Sequence, residues 1–153
     1  MVSRNGVRPF LVEVQALVSK TKTAPRQLIL GLEHNRLTLL LTIMKEQANV
    51  DILEHNVYVN IVGGLKITET ASDLAVLLAC VSSLKNQPLP HDMAVFGEVG
   101  LSGEIRSVPN AQERIKEAQK NGFKTVVVPK VHQPKQALDS MRVIAVELSL
   151  IHT

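Results

Sequence analysis

Apolar and polar positions alternate along residues 7–18, where VRPFLVEVQALV sets Phe10, Val12, Val14 and Ala16 on one side. That is the two-residue period of a strand with one buried face. The polar stretch 19–25 ends in Pro25 and reads as a hairpin loop, so RQLILGL over 26–32 is expected to return beside the first strand. The period then changes. Across 33–48, Leu37, Leu40, Leu41 and Met44 follow the i, i+3, i+4, i+7 spacing of one helical stripe, widened by Leu39 and Ile43. NVYVNIV over 56–62 is β-branched and alternating, a strand stopped by Gly63 and Gly64. Residues 70–84 predict a second helix, apolar on most sides and therefore central, ended by Pro88 and Pro90.

Further on, residues 94–108 predict one hairpin turning around Leu101, Ser102 and Gly103. Pro109 and Asn110 open a third helix, AQERIKEAQKNG, with Ile115 and Ala118 inward and Gly122 at the left-handed cap. KTVVV over 124–128 predicts a short buried strand, followed by a short helix over 133–140 and a last strand over 142–146. Strands alternating with helices, plus hairpins, indicate an α/β or α+β domain with a mixed sheet. No repeat or long linker divides the chain, so residues 1–153 read as a single domain. A leading Met followed so soon by core sequence suggests a domain excised from a longer protein.

Composition narrows the possible functions. With three Phe, one Tyr and no Trp, the core must be aliphatic, and base-stacking platforms for single strands have no raw material. Cys80 is the only cysteine, which excludes an intrachain disulfide or a cysteine zinc cluster; inside LAVLLACV it reads as a core residue. No run approaches the length of a membrane span, and no signal-peptide core is present. Charge is unevenly spread: residues 1–45 carry seven basic and two acidic side chains, the remainder ten basic and twelve acidic. A basic first third is compatible with a polyanion-facing surface, and equally with a solvated basic face.

Motifs for chemistry are scarce. There is no G-x-x-x-x-G-K-[ST] phosphate loop. The glycines at 97, 100 and 103 fall in a predicted hairpin and serve as turn residues rather than a dinucleotide site. His34, His55, His91, His132 and His152 form no ligand-spaced pair, so no metal is expected. Glu98 and Glu104 flank the hairpin as solvated carboxylates. No serine sits in G-x-S-x-G, and Ser72, near the start of the central helix, is the one plausible nucleophile.

The stretch GEVGLSGEIRSVPNAQERIKEAQKNGFKTVVVPK, residues 97–130, resembles the Lon protease domain, in which a G-E-[IV]-x-L-x-G hairpin leads to a helix and a T-V-[VIL]-[VI]-P strand. In Lon enzymes a Pro-Ser-Ala-Gly element carries the nucleophile and Gly-Gly-Leu-Lys the general base. Aligned without gaps, those elements fall on Thr70-Ala71-Ser72-Asp73 and Pro109-Asn110-Ala111-Gln112. The dyad positions are then Ala71 and Gln112, a methyl group and a neutral amide, which can neither attack a carbonyl nor take up a proton. Ser72 is one residue away, about 100° around a helix; a rescued dyad would need Lys66 or Lys116 beside it. Within Lon-like domains the chain is most similar to the C-terminal domain of the RadA (Sms) family of bacterial recombination ATPases. The similarity rests on Arg8-Pro9 with LVEVQALV, Pro25-Arg26, GLEHNRL, NVYVNIVGGLKITETASDLAVLLA and GEVGLSGEIRSV.

The resemblance implies a Lon-protease-like fold and a cytoplasmic, non-catalytic scaffold, a pseudoprotease supporting a hexameric ring and DNA binding during branch migration. Its partners would be DNA, further copies of itself and other recombination proteins. This domain would hold no cofactor, whereas ATP, Mg and Zn are implied for the full-length DNA-dependent ATPase. DNA contacts are expected from Arg8, Arg26, Arg36 and Arg106, with Lys20 and Lys22 behind them, since a guanidinium offers a phosphate paired donors. Each has a structural alternative: Arg8 as a strand start, Arg36 paired with Glu33, Arg106 paired with Glu104 or Glu98. Arg8→Ala or Arg36→Ala is expected to weaken DNA binding without unfolding the domain. Two other functions compete, a Ser-Lys peptidase using Ser72 and an oligomerisation module with no DNA role.

Overall fold

The computed structural model describes residues 2–5, 8–136, 138 and 140–147, and through residue 9 it describes the backbone alone. Among them the chain runs β1 (Val2–Asn5), β2 (Arg8–Leu11), β3 (Val14–Ser19), β4 (Gln27–Leu30), α1 (His34–Ala48), β5 (Asn56–Ile61), a 3₁₀ turn (Thr70–Ser72) and α2 (Asp73–Leu84). It continues through β6 (Met93–Val95), β7 (Glu98–Val99), β8 (Ile105–Arg106), α3 (Ala111–Lys120), β9 (Thr125–Pro129), a second 3₁₀ turn (Lys130–His132) and β10 (Arg142–Val146). The architecture is α+β with sheets of mixed orientation: three-stranded β3-β5-β4 and β10-β9-β6, with hairpins β1-β2 and β7-β8.

The first alternating run has the right periodicity but breaks into two strands. β2 turns back on β1, with Pro9 opposite Arg4, whereas the Glu13 carbonyl accepts the Val62 N–H at 3.0 Å. One stretch of chain thus serves two sheets, and Val12 at the break is buried. The expected hairpin between the first strand and residues 26–32 does not form. β5 lies between β3 and β4, antiparallel to one and parallel to the other. A parallel pair needs a crossover, and α1 supplies it between β4 and β5.

In α1 the stripe Leu37, Leu40, Leu41, Ile43 and Met44 is buried, but Leu39 turns out to solvent at 37% exposure. The expected hairpin over 94–108 is shorter than predicted: β6 joins β9 in parallel, and only β7 and β8 pair. No helix forms in the described residues of 133–140. Gly122 caps α3 with φ of 80°, as the sequence predicts. One core cluster joins α1 and α2 to the inner faces of β3 and β5. A second joins Ala71, Phe96, Ala111, Ile115 and Ala118 to β9. Cys80 is fully buried in the first, and burial pushes its thiol up to about 12, so it packs as a small apolar residue.

Candidate functional site

The two positions aligned with a catalytic dyad lie on either side of one seam, Ala71 inside it and Gln112 facing out. Ala71 sits in the 3₁₀ turn before α2, 2% exposed, and its carbonyl accepts the Gly97 N–H at 2.9 Å while the Gly97 carbonyl in turn accepts the Leu74 N–H at 3.0 Å. Ala71 shares a core cluster with Ala111 in the first turn of α3; Gln112, the next residue, is exposed.

An ion pair crosses this seam. Arg114 Nη1 donates to Glu69 Oε1 at 3.0 Å and Nη2 to Oε2 at 3.4 Å. Arg114 Nε donates to the Pro109 carbonyl at 3.0 Å. The Arg114 side chain is 1% exposed. Hydropathy alone passes over Arg114, although a signal exists: with Ala111, Ile115 and Ala118 it completes an i, i+3, i+4, i+7 stripe.

Ser72 is buried at 1% exposure, and its Oγ donates to the Glu69 carbonyl at 3.0 Å. Lys66 and Lys116 are exposed, and among the described residues no lysine hydrogen-bonds this hydroxyl. A serine without a basic partner has a weakly nucleophilic oxygen.

Beside the seam lies a second pair, which corrects the expected partnership of Arg36 with Glu33. The partner of Arg36 is Asp73, buried at the start of α2. Arg36 Nε donates to Asp73 Oδ1 at 2.9 Å and Nη2 to Oδ2, and the Val99 N–H donates to Oδ2 at 3.0 Å. Burial pushes the Asp73 carboxyl up, opposed by Arg36 and the Val99 N–H. The hydrogen bond to Asp73 raises the Arg36 guanidinium. Thr70 Oγ1 donates to Glu98 Oε2 at 2.8 Å nearby. A groove of about 770 Å³ opens here, lined by Ile29, Leu30, Glu33, Arg36, Lys66 and Glu69 among others.

The remaining expected DNA contacts are dispersed. Arg8 begins β2 opposite Asn5 and is described only as a backbone position. Arg26 precedes β4, its backbone N–H donating to Asn56 Oδ1 at 3.0 Å, and the residue is exposed. Arg106 is 61% exposed with Nη1 4.0 Å from Glu104 Oε2. Lys20 and Lys22 lie on the loop after β3. Exposed cations at these positions can meet a phosphate; the Arg36 fork is already filled. Among the described residues no three His, Cys, Asp or Glu converge to hold a metal, and no helix is long and apolar enough to cross a membrane.

His132 follows β9, and its Nε2 accepts the Val108 N–H at 2.9 Å, which requires a neutral ring protonated on Nδ1. Burial lowers its pKa. The ring also packs at a tilt against Phe96, centroids 6.4 Å apart.

With this geometry in view, the chain belongs to the family whose model is described as subunit ChlI of Mg-chelatase, which matches residues 33–132. The chelatase in that description is the model's namesake. More particularly, the chain is similar to a segment of RadA: it is 51% identical to the DNA repair protein RadA of Haemophilus influenzae over 148 residues, 96% of this chain and 32% of the relative. It is 53% identical to the DNA repair protein RadA of Pseudomonas aeruginosa over 147 residues, again 32% of that protein, and 51% identical to that of Escherichia coli. The chain thus spans about a third of the length of these relatives.

Proposed function

We propose that this domain is a non-catalytic, Lon-like scaffold of a RadA-type DNA repair and recombination protein, supporting ring assembly and DNA binding during branch migration in the cytoplasm. The observation that carries the reading is the composition of the seam: Ala71 and Gln112 at the dyad positions, and a neighbouring Ser72 whose hydroxyl is committed to a backbone carbonyl. The names of the relatives, DNA repair proteins, support the DNA-related part.

Exposed Arg26 and Arg106, with Lys20 and Lys22, are the side chains this reading assigns to phosphate contacts. Each such contact is weak and salt-sensitive, so a ring that repeats them gains far more than one copy. ATP, Mg and Zn belong in this proposal to the rest of the longer protein. The residues present here offer neither a phosphate loop nor, among those described, a ligand cluster, and no step in this domain passes through those groups.

Anisotropy titrations of labelled DNA across a salt series test it. Arg26→Ala and Arg106→Ala should each lower affinity and reduce the salt slope by about one contact; unchanged affinity and slope in both removes the DNA assignment. Fluorophosphonate labelling tests the peptidase alternative: label on Ser72, lost in Ser72→Ala, would replace the scaffold reading with catalysis.

A further inference from the structure

The β3-β5-β4 sheet buries one face against the helices and leaves the other in solvent. On the outer face the register aligns Leu17, Tyr58 and Leu28 as one row across the strands, with Leu30 next along β4. Leu17, Leu28 and Leu30 are 58%, 57% and 57% exposed. A half-buried sheet is expected to alternate apolar-in and polar-out. Three leucines turned outward on two strands of one sheet break that rule in one place, and a contiguous apolar patch of this kind marks an interaction surface.

Charge along the same face is polar from end to end. Glu13 stands outside the start of β3, held by Gln15 Nε2 at 3.3 Å, and Glu33 follows β4 at that end; with Lys66 present the end is net negative. At the other end lie Lys20 and Lys22 after β3 and Arg26 before β4, which outweigh Glu54. A two-fold axis in the plane of the interface, crossing the strands, lays the leucine row of one copy on that of another. It also reverses the ends, so Glu13 of each copy faces the Lys20–Lys22 loop of its mate. A face whose two ends carry opposite charge about an apolar centre is complementary to itself under that rotation.

We infer that the outer face of β3-β5-β4 is a self-association surface whose occupant is a second copy of this chain, docked face to face with strands antiparallel. Three strands about 4.8 Å apart and six residues of about 3.3 Å cover roughly 300 Å², well short of the roughly 800 Å² per partner of a standard interface. The pairing is therefore weak and concentration-dependent. It is distinct from ring formation, because a two-fold contact closes on itself and a ring contact does not, and it requires no DNA.

Sedimentation velocity of the purified chain without DNA, from low micromolar to several hundred micromolar, tests this. The expected result is a monomer–dimer equilibrium that weakens with added salt. Leu17→Glu or Leu28→Glu should weaken it at least tenfold; both positions are exposed, and unchanged circular dichroism will show the fold intact. Glu13→Lys should weaken it too, and combining that change with Lys20→Glu and Lys22→Glu should restore it. A chain that stays monomeric throughout, leucine variants that pair as the wild type does, or association seen only with polyanion overturns the proposal. The DNA titrations above are read separately, so either reading can fail alone.

Discussion

Removing the Arg36 guanidinium is the most informative single change, because two roles predict different outcomes. If Arg36 were mainly a phosphate contact, its loss would weaken DNA binding and spare the fold. In the structure it holds the fold instead. Its Nε and Nη2 grip an Asp73 side chain that is 1% exposed, while Arg36 itself is 24% exposed. Breaking a buried pair from one side costs about 3–5 kcal/mol, since the orphaned charge stays behind. Here one flank meets solvent and the Val99 N–H at 3.0 Å still serves Asp73, which lowers the expectation for Arg36→Met to about 2–4 kcal/mol. For a domain of this size that is a fall in Tm of roughly 6–12 °C.

The cost should also depend on pH. Without Arg36, burial raises the Asp73 carboxyl with little to oppose it. The folded variant then keeps a proton that the unfolded chain releases, so its stability climbs as pH falls through the raised value. Urea titrations of wild type and variant at pH 8 and pH 5 read this directly: the deficit should be larger at pH 8. A deficit under about 1 kcal/mol at pH 8, or one that does not narrow at pH 5, refutes the buried pair as the source of stability. Loss of DNA affinity in this variant counts as a contact effect only after correction for the folded fraction.

Three further outcomes are expected. Gly31→Ala should cost at least about 2–3 kcal/mol, read as a lower urea midpoint, because φ is +91° and the new Cβ would stand 2.6 Å from Ile61 Cβ and against the Leu65 carbonyl; wild-type stability would show that this turn can relax. His132 is held neutral by burial, with its folded pKa below the ordinary value, so the stability it contributes is present above about pH 6.5 and is lost as pH falls through the lowered value. His132→Ala should therefore flatten the stability slope on that acid side, and an unchanged slope would contradict it. Glu69→Met should destabilise by about 2–4 kcal/mol, because it takes the carboxylate away from a guanidinium that is 1% exposed, with partial recovery on adding Arg114→Met, which removes that buried charge as well; thermal melts of single and double variants decide it.

The local elements are legible from period alone. α1, α3 and β5 stand within a residue or two of their expected ends because each buries one clean stripe, and Gly122 announces its left-handed cap. Pairing is what period does not show. Nothing local in RQLILGL says that its neighbour is NVYVNIV, reached only through a helix and its flanking loops, rather than the strand just before it; burial of α1 over both strands selects that arrangement. Gly97 looks like a hairpin residue, yet it passes the chain from one sheet to another by exchanging hydrogen bonds with Ala71 and Leu74. The buried charges escape a sequence pattern for a related reason. Arg114 and Asp73 lie on stripes otherwise apolar, and a pattern scored by hydropathy discounts a charge whose partner comes from 45 or 37 residues away.

One of those hidden charges shapes the seam itself. Glu69 stands two residues before Ala71, and Arg114 two after Gln112, so a part-buried pair spans the two segments that a Lon enzyme would use to bring hydroxyl and amine together. A working dyad needs a lysine that is partly desolvated and free to change its protonation. Arg114 at this seam is a permanent cation with a fixed planar fork, and its Nε is taken by the Pro109 carbonyl. Such a pair ties the start of α3 to the turn before α2, and its guanidinium cannot take the part of a general-base lysine. Restoring chemistry would therefore take more than Ala71→Ser with Gln112→Lys: position 112 is exposed and lies on the side of α3 away from the buried Arg114, whereas Ala71 is 2% exposed.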